Sequence, residues 1–261
     1  MAATRSRTAT SLLTTVALAV TLGCGLTVLR EVRGSGSAGV GYPPVPADAR
    51  PGRLLPPVAV VSSGPYALEH VLPGGVAATY DPCRPVHYVV NPAQMPAAAG
   101  PLLADAVAAV SAATGLVLVD DGRTDEPLDP QREVVQRQRY GNRWAPVLIG
   151  FSDARGYPAL AGDVAGVGGS SLVQPRGAAS ARLVSGQIAL DVDALDALIE
   201  RGHADQVRAV MMHELGHVVG LDHVSDPTQL MYPNNRGLTA FGPGDLEGLA
   251  LLGDGVCHTD T

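Results

Sequence analysis

The chain has 261 residues and a formal net charge of −7, with 46% hydrophobic and 16% charged residues, which fits one or two domains with a packed core over most of the length. The acidic balance argues against nucleic-acid binding through phosphate neutralisation, and 4% aromatic residues leave little for a stacking surface. Three cysteines exclude a disulfide-dense miniprotein and a four-thiolate iron–sulfur cluster.

Residues 1–33 read as an N-terminal signal or membrane anchor. Arg5 and Arg7 precede an uncharged apolar run, 12–29, that is just long enough to span a hydrocarbon core and long for a secretory h-region. Gly36, Ser37 and Ala38 offer a cleavage site, Arg30 and Arg33 blur the positive-inside signal, and Cys24 in Leu22-Gly23-Cys24 offers a weaker lipoprotein reading. Anchored with its N-terminus inside, or secreted, the remainder is expected outside the cytoplasm. Residues 34–65, rich in Gly, Pro and Ser, read as a mobile linker, and residues 66–261 as one domain.

Within that domain, Val86 to Asn91 reads as a strand. Leu102, Leu103, Ala106, Val107 and Val110 fall at helical spacing from Pro101 to Thr114, and Gly115 stops the helix. Leu116 to Val119 is a short strand, and Gly122 to Trp144 is a polar loop with room for one helical turn. Val147 to Phe151 is a third strand, Ala165 to Val173 an irregular Gly-rich one, and Gln187 to Val192 another. A long helix is expected from about Ala204 to Val219 and a last one from Pro243 to Leu252, with Pro at an early position. The order describes an α+β domain with a mostly parallel or mixed twisted sheet.

The chemistry concentrates in His213-Glu214-Leu215-Gly216-His217-Val218-Val219-Gly220-Leu221-Asp222-His223. Four residues turn about 400° on a helix, so His213 and His217 share a face and can ligate one metal ion. Glu214 points about 100° away, near enough to reach a metal-activated water. Gly at position 220 can take the left-handed conformation that ends a helix sharply and brings His223 back to the same ion. Three neutral nitrogens with one open position is the arrangement of catalytic zinc. Apolar residues spread round the helix, from Val207 to Val219, so it is expected to be buried, where imidazoles and a carboxylate are costly unless paired or metal-bound.

These eleven residues match H-E-x-x-H-x-x-G-x-x-H, and the chain resembles the metzincin zinc metallopeptidases. Asp226-Pro227-Thr228-Gln229-Leu230-Met231-Tyr232-Pro233 resembles the Met-turn of the matrixin branch, and the stretch from Leu238 to Gly253 resembles its closing helix. The likeness extends from about Tyr80 to Gly253 and is sharpest from His213 to Pro233; it describes a minimal, bacterial-type matrixin. It implies a zincin-like fold with an active-site helix and a C-terminal helix. It also implies a zinc-dependent endopeptidase with one catalytic Zn2+ on His213, His217 and His223, and Glu214 as general base. Met231 would form an apolar floor, and Tyr232 and Pro233, with Asn234 and Asn235, would line the pocket beyond the cut bond. A peptide or protein substrate would add antiparallel to the Gly-rich strand. Val224 replaces the Ser usual after the third His, no cysteine-switch propeptide is recognisable, and no His- and Asp-rich metal loop lies between Gly156 and Gln187. The alternative of another class is a catalytically weak, zinc-stabilised binding or scaffold domain on the cell surface, which would have no need of Glu214.

Other signals carry two readings each. Cys83 and Cys257 either form a disulfide in an oxidising compartment or remain free thiols. Asp120, Asp121, Asp125, Glu126 and Asp129 either hold Ca2+ or form a solvated loop, their spacing fitting no EF-hand. Asp191 and Asp193 read as turn or capping residues, and Asp222 as a ligand-orienting or a turn residue. His70, His87, His203 and His258 lack ligand spacing, and Gly168-Gly169-Ser170-Ser171 is a flexible strand edge rather than a nucleophile elbow. Subsites, latency and oligomeric state have no signature in the sequence.

Overall fold

The computed structural model describes residues 41–60, 63–175 and 181–260. The expected signal or anchor of residues 1–33, with Cys24 and the cleavage site after Ala38, lies outside the described residues. Among those described, no helix is long and apolar enough to cross a membrane.

In chain order the elements are β1 (Ala67–Leu68), β2 (Val71–Leu72), β3 (Val76–Ala77), β4 (Val86–Val90), α1 (Ala99–Thr114), β5 (Leu118–Arg123), α2 (Arg137–Tyr140), β6 (Val147–Ser152), a 3₁₀ turn (Pro158–Leu160), β7 (Gly166–Val173), β8 (Arg182–Asp191), α3 (Val192–Glu200), α4 (Ala204–Val219), β9 (Leu221–Asp222) and α5 (Pro243–Gly253). Five strands make one mixed sheet in the order β5-β4-β6-β8-β7. β4 runs parallel to β5 and β6, β6 runs parallel to β8, and β7 is an antiparallel edge strand along β8. This is a mixed α+β architecture. β1 pairs with β9, and β2 with β3 as a hairpin; the sequence pattern suggested neither, because two-residue strands carry no periodicity.

One core joins the apolar faces of α1 (Leu103, Val107, Val110) and α4 (Val207, Val210, Met211, Leu215) to sheet residues Val86, Tyr88, Ile149, Ile188 and Leu190. A smaller cluster of Tyr157, Leu160, Val164 and Ala189, with Leu128, covers sheet surface elsewhere. β6 is buried along its whole length, as its unbroken apolar run requires. Gly150 in that strand leaves the space that Leu128 fills, since a Cβ there would lie 2.9 Å from the leucine side chain. β8 starts five residues earlier than its apolar run, and α3 follows it directly. The carboxylate of Asp191 accepts the N–H of Ala194 at 2.7 Å and caps α3, the capping role expected of it.

The segment expected as a mobile linker is not loose over its described part. Arg50 and Leu54 donate backbone N–H groups to the carbonyls of Cys83 and Pro82 at 2.8 and 3.0 Å. Asp48 lies 2.7 Å from Nε2 of His87, and Tyr42 packs against Trp144 with ring centroids 5.6 Å apart. Its Pro and Gly content suits an extended strap, which the domain holds at these few points.

Cys83 and Cys257 form a disulfide, with Cα atoms 5.3 Å apart and a sequence separation of 174. The acidic stretch is largely ion-paired. Asp121 meets His87 and Arg143, Asp125 meets Arg139, and the buried Glu126 forms a two-pronged bond with Arg132 at 2.8 and 2.9 Å. Arg132 also donates to the carbonyl of Pro146 and to Ser185, while Tyr140 and Gln136 donate to Glu126. The polar segment between β5 and β6 is thus folded round a buried ion pair.

Burial works to raise the Glu126 carboxyl, but the hydrogen bonds from Arg132, Tyr140 and Gln136 outweigh it and hold the group below its ordinary range. The pair therefore stabilises the fold fully above the ordinary Glu pKa of about 4.3, and this contribution is lost as pH falls through the depressed folded value. Urea midpoints measured from pH 7 to pH 3 should fall in this window, and Glu126→Gln should flatten that part of the curve while costing about 3–5 kcal/mol at pH 7. Reducing the Cys83–Cys257 bridge should cost up to about 5 kcal/mol by the chain-entropy estimate for so long a loop, measured as the difference in urea midpoint with and without reductant.

Candidate metal centre

α4 carries the first two histidines, and its C-terminus supplies the turn that the third requires. Gly220 has φ 113° and ψ 9°, and its N–H donates to the carbonyls of Gly216 and His217 at 3.1 and 3.0 Å. A β-carbon there would be strained by that backbone and would meet Leu252 at 3.0 Å. β9 then leads straight to His223, whose N–H donates to Asp222 at 2.7 Å. Asp222 serves the turn, the second of its two readings.

The three rings converge. Nε2 of His213 lies 3.0 Å from Nε2 of His223, and Nε2 of His217 lies 3.2 Å from each of the other two. Nδ1 of His213 faces the carbonyl of Leu230 at 2.7 Å, and Nδ1 of His217 that of Leu221 at 2.8 Å. A carbonyl only accepts, so each Nδ1 carries the proton, and in the neutral ring each Nε2 presents a lone pair. Such lone pairs aimed at one point repel unless a cation lies between them. Tetrahedral ligands at the zinc–nitrogen bond length stand about 3.3 Å apart, close to the spacing seen. The donor set fits zinc.

The surroundings act unequally on the three rings. Burial lowers His213 well below the ordinary histidine value, with His217 and His223 adding to the effect. Burial, helped by His217, lowers His223 to about 4. Burial also acts to lower His217, but a hydrogen bond with Glu69, reinforced by the charges of Glu214 and Glu69, carries it above the ordinary value.

Glu214 is buried, and its Oε1 has no hydrogen-bond partner. Burial raises its carboxyl to about 7, opposed by His217 and a backbone hydrogen bond at Gly168. A bare buried carboxylate oxygen beside three convergent lone pairs is costly on its own and suits a site designed to take a cation and its water.

The glycines of β7 have a steric cause that the sequence reading missed. α4 lies so close to this strand that a Cβ at Gly168 would stand 2.4 Å from the carbonyl oxygen of Glu214, and one at Gly166 would stand 2.7 Å from its Cγ. At Gly166 and Gly168 the strand has glycine where the helix touches it.

Met231 is fully buried, its sulfur under Gly216 between the two helical histidines, where a Cβ would come within 2.7 Å. The turn that carries it is fixed from α5. The buried Asp245 accepts the N–H groups of Leu230, Met231 and Gly242 at 2.5, 3.3 and 2.8 Å, and Gln229 accepts those of Gly244 and Asp245. Burial raises the Asp245 carboxyl, with the three backbone N–H groups opposing. Neither Asp245 nor Gln229 was singled out from the sequence; an Asp at the third position of a helix is the signal that pointed there. Val224 is buried and donates its N–H to the carbonyl of Met231 at 3.1 Å, fitting an apolar residue where a Ser was expected. Tyr232, Pro233 and Asn234 are partly exposed beyond the turn, whereas Asn235 is buried and holds both polar groups of the Leu238 backbone. Among the described residues, the only other cluster with metal-ligating atoms is Asp81, Cys83 and Cys257, and its thiols are spent in the disulfide.

A family model described as matrixin matches residues 161–243, from just before β7 to the first residue of α5. The match supports a matrixin-like metzincin peptidase domain in this part of the chain. No curated protein matches it.

The close contact of α4 and β7 sets a test. Gly168→Ala should destabilise the protein by about 1–3 kcal/mol through overpacking, read as a lower urea midpoint and melting temperature. Gly169→Ala, where nothing lies within 4 Å, should leave the melting temperature nearly unchanged.

Proposed function

We propose that this protein is a zinc-dependent endopeptidase acting outside the cytoplasm. The observation that carries the reading is the convergence of three Nε2 atoms at 3.0–3.2 Å beside a buried Glu214 oxygen without a hydrogen-bond partner. A closed structural site has no use for that oxygen, which weighs against the scaffold alternative. The disulfide supports an oxidising compartment.

His213, His217 and His223 would hold the ion, their rings fixed by the carbonyls of Leu230 and Leu221 and floored by Met231. A zinc ion held there supplies Lewis acidity, acidifying water and polarising a carbonyl. Glu214 accepts the proton of the attacking water at Oε1 as the new carbon–oxygen bond forms, and returns it to the leaving amine nitrogen as the carbon–nitrogen bond breaks. Burial suits it to both halves, because it raises the carboxyl and so makes it a better proton acceptor than an exposed one. β7, paired in the sheet with β8 alone among the described residues, offers its outer edge to an extended substrate running antiparallel to it. Tyr232 and Pro233 would border the pocket for the side chain after the scissile bond.

Glu214→Ala should retain one zinc per chain and lose nearly all hydrolysis of a generic protein substrate, a fall of at least a thousandfold against the wild type purified alongside. A chelator should abolish wild-type hydrolysis, and zinc should restore it. One zinc per chain with no cleavage of any substrate by the wild type would favour the scaffold reading, and undiminished cleavage by Glu214→Ala would remove Glu214 from the mechanism.

A further inference from the structure

The segment upstream of the region resembling matrixins reaches the metal centre. β1 pairs with β9 immediately before His223, and the next residue, Glu69, donates its N–H to the carbonyl of Gly220 at 2.9 Å. The Glu69 backbone is thereby pinned to the turn that ends α4. Its side chain points into the site. Oε1 lies 3.3 Å from Nδ1 of His217, and Oε2 accepts the hydroxyl of Ser170 at 3.2 Å. The Ser170 oxygen lies 3.1 Å from Nε2 of His70. A hydroxyl has one proton; with that proton on Glu69, the oxygen accepts the N–H of His70. The row runs from His70 through Ser170 to Glu69 and ends on the Nδ1–H of His217, which it shares with the carbonyl of Leu221.

We propose that Glu69 is a positioning residue of this metal centre, a carboxylate behind His217 that fixes the ring and offsets the charge of the cation. The proposal rests on the metallopeptidase reading. Three neutral imidazoles leave a divalent ion's charge uncompensated in a buried site. Glu214 brings one negative charge, and Glu69 brings the second. A carboxylate on the far nitrogen of a ligating histidine also makes the near nitrogen a stronger donor. Ser170 ties this carboxylate to β7, two positions beyond Gly168 and on the same face of the strand. The strand that would receive substrate and the ring that would hold the ion thus share one hydrogen-bonded row.

The test compares the full-length wild type with Glu69→Gln, which preserves shape but removes the charge and turns one of the two accepting oxygens into a donor, and with Ser170→Ala, which takes the hydroxyl away from Oε2. Zinc affinity is measured by competition with a chromophoric chelator, and ligand geometry from the visible spectrum of the cobalt-substituted protein. Glu69→Gln should bind zinc roughly ten- to a hundredfold more weakly, with displaced cobalt bands and a kcat that falls more than KM rises. Ser170→Ala should shift both readouts in the same direction by less, and it carries the comparison if Glu69→Gln fails to fold. Equal zinc affinity and superposable cobalt spectra in wild type and variants overturn the proposal while leaving the peptidase reading intact. A wild type that binds no zinc takes both down.

Discussion

Everything in this site depends on two ring protons. Nδ1 of His213 and of His217 each face a backbone carbonyl, and this single constraint turns both Nε2 lone pairs inward. The carbonyls belong to Leu230 and Leu221, each set by a different device. Leu221 follows the left-handed Gly220, and Leu230 begins the turn that Asp245 clamps from α5. The helix supplies two histidines, but the chain that follows it, at β9 and at the turn of Leu230, decides which way they face.

That dependence explains why so much of the structure is spent on fixing short segments. Met231 fills the space under Gly216, Gln229 and Asp245 bind the N-terminus of α5 to the turn, and β1 pairs with β9. Each contact is modest by itself, at about 1 kcal/mol for a typical hydrogen bond. Their joint effect is geometric. They hold the Nε2 atoms of the three histidines within 3.0–3.2 Å of one another. Glu214 is placed in a related way, on a helix that Gly166 and Gly168 admit close to β7.

The sequence made α4 legible because three signals coincided over sixteen residues: an i, i+4 pair, a helix-ending glycine and apolar residues all round. The buried strand β6 was equally plain. What escaped was non-local or steric. Glu69 lies far upstream with no pattern around it, and only the pairing of β1 with β9 brings it to His217. The glycines of β7 looked like looseness because sequence does not reveal how near a helix will pass. α3 was hidden because its capping Asp191 also ends a strand, so one residue served two elements. The strap from Gly41 onward reads as linker by composition, and it is ordered by partners such as His87 and Cys83 that composition does not identify.

The Cys83–Cys257 bridge has a consequence for a chain that is cut within one of its loops. Every loop from residue 84 to residue 256 lies inside the covalent ring it closes. A nick in any of those loops leaves two fragments still joined, with the histidines and the turn beneath them on the same tether. Damage of that kind would go unnoticed on a non-reducing gel and would separate into pieces only once the sulfur bond was broken.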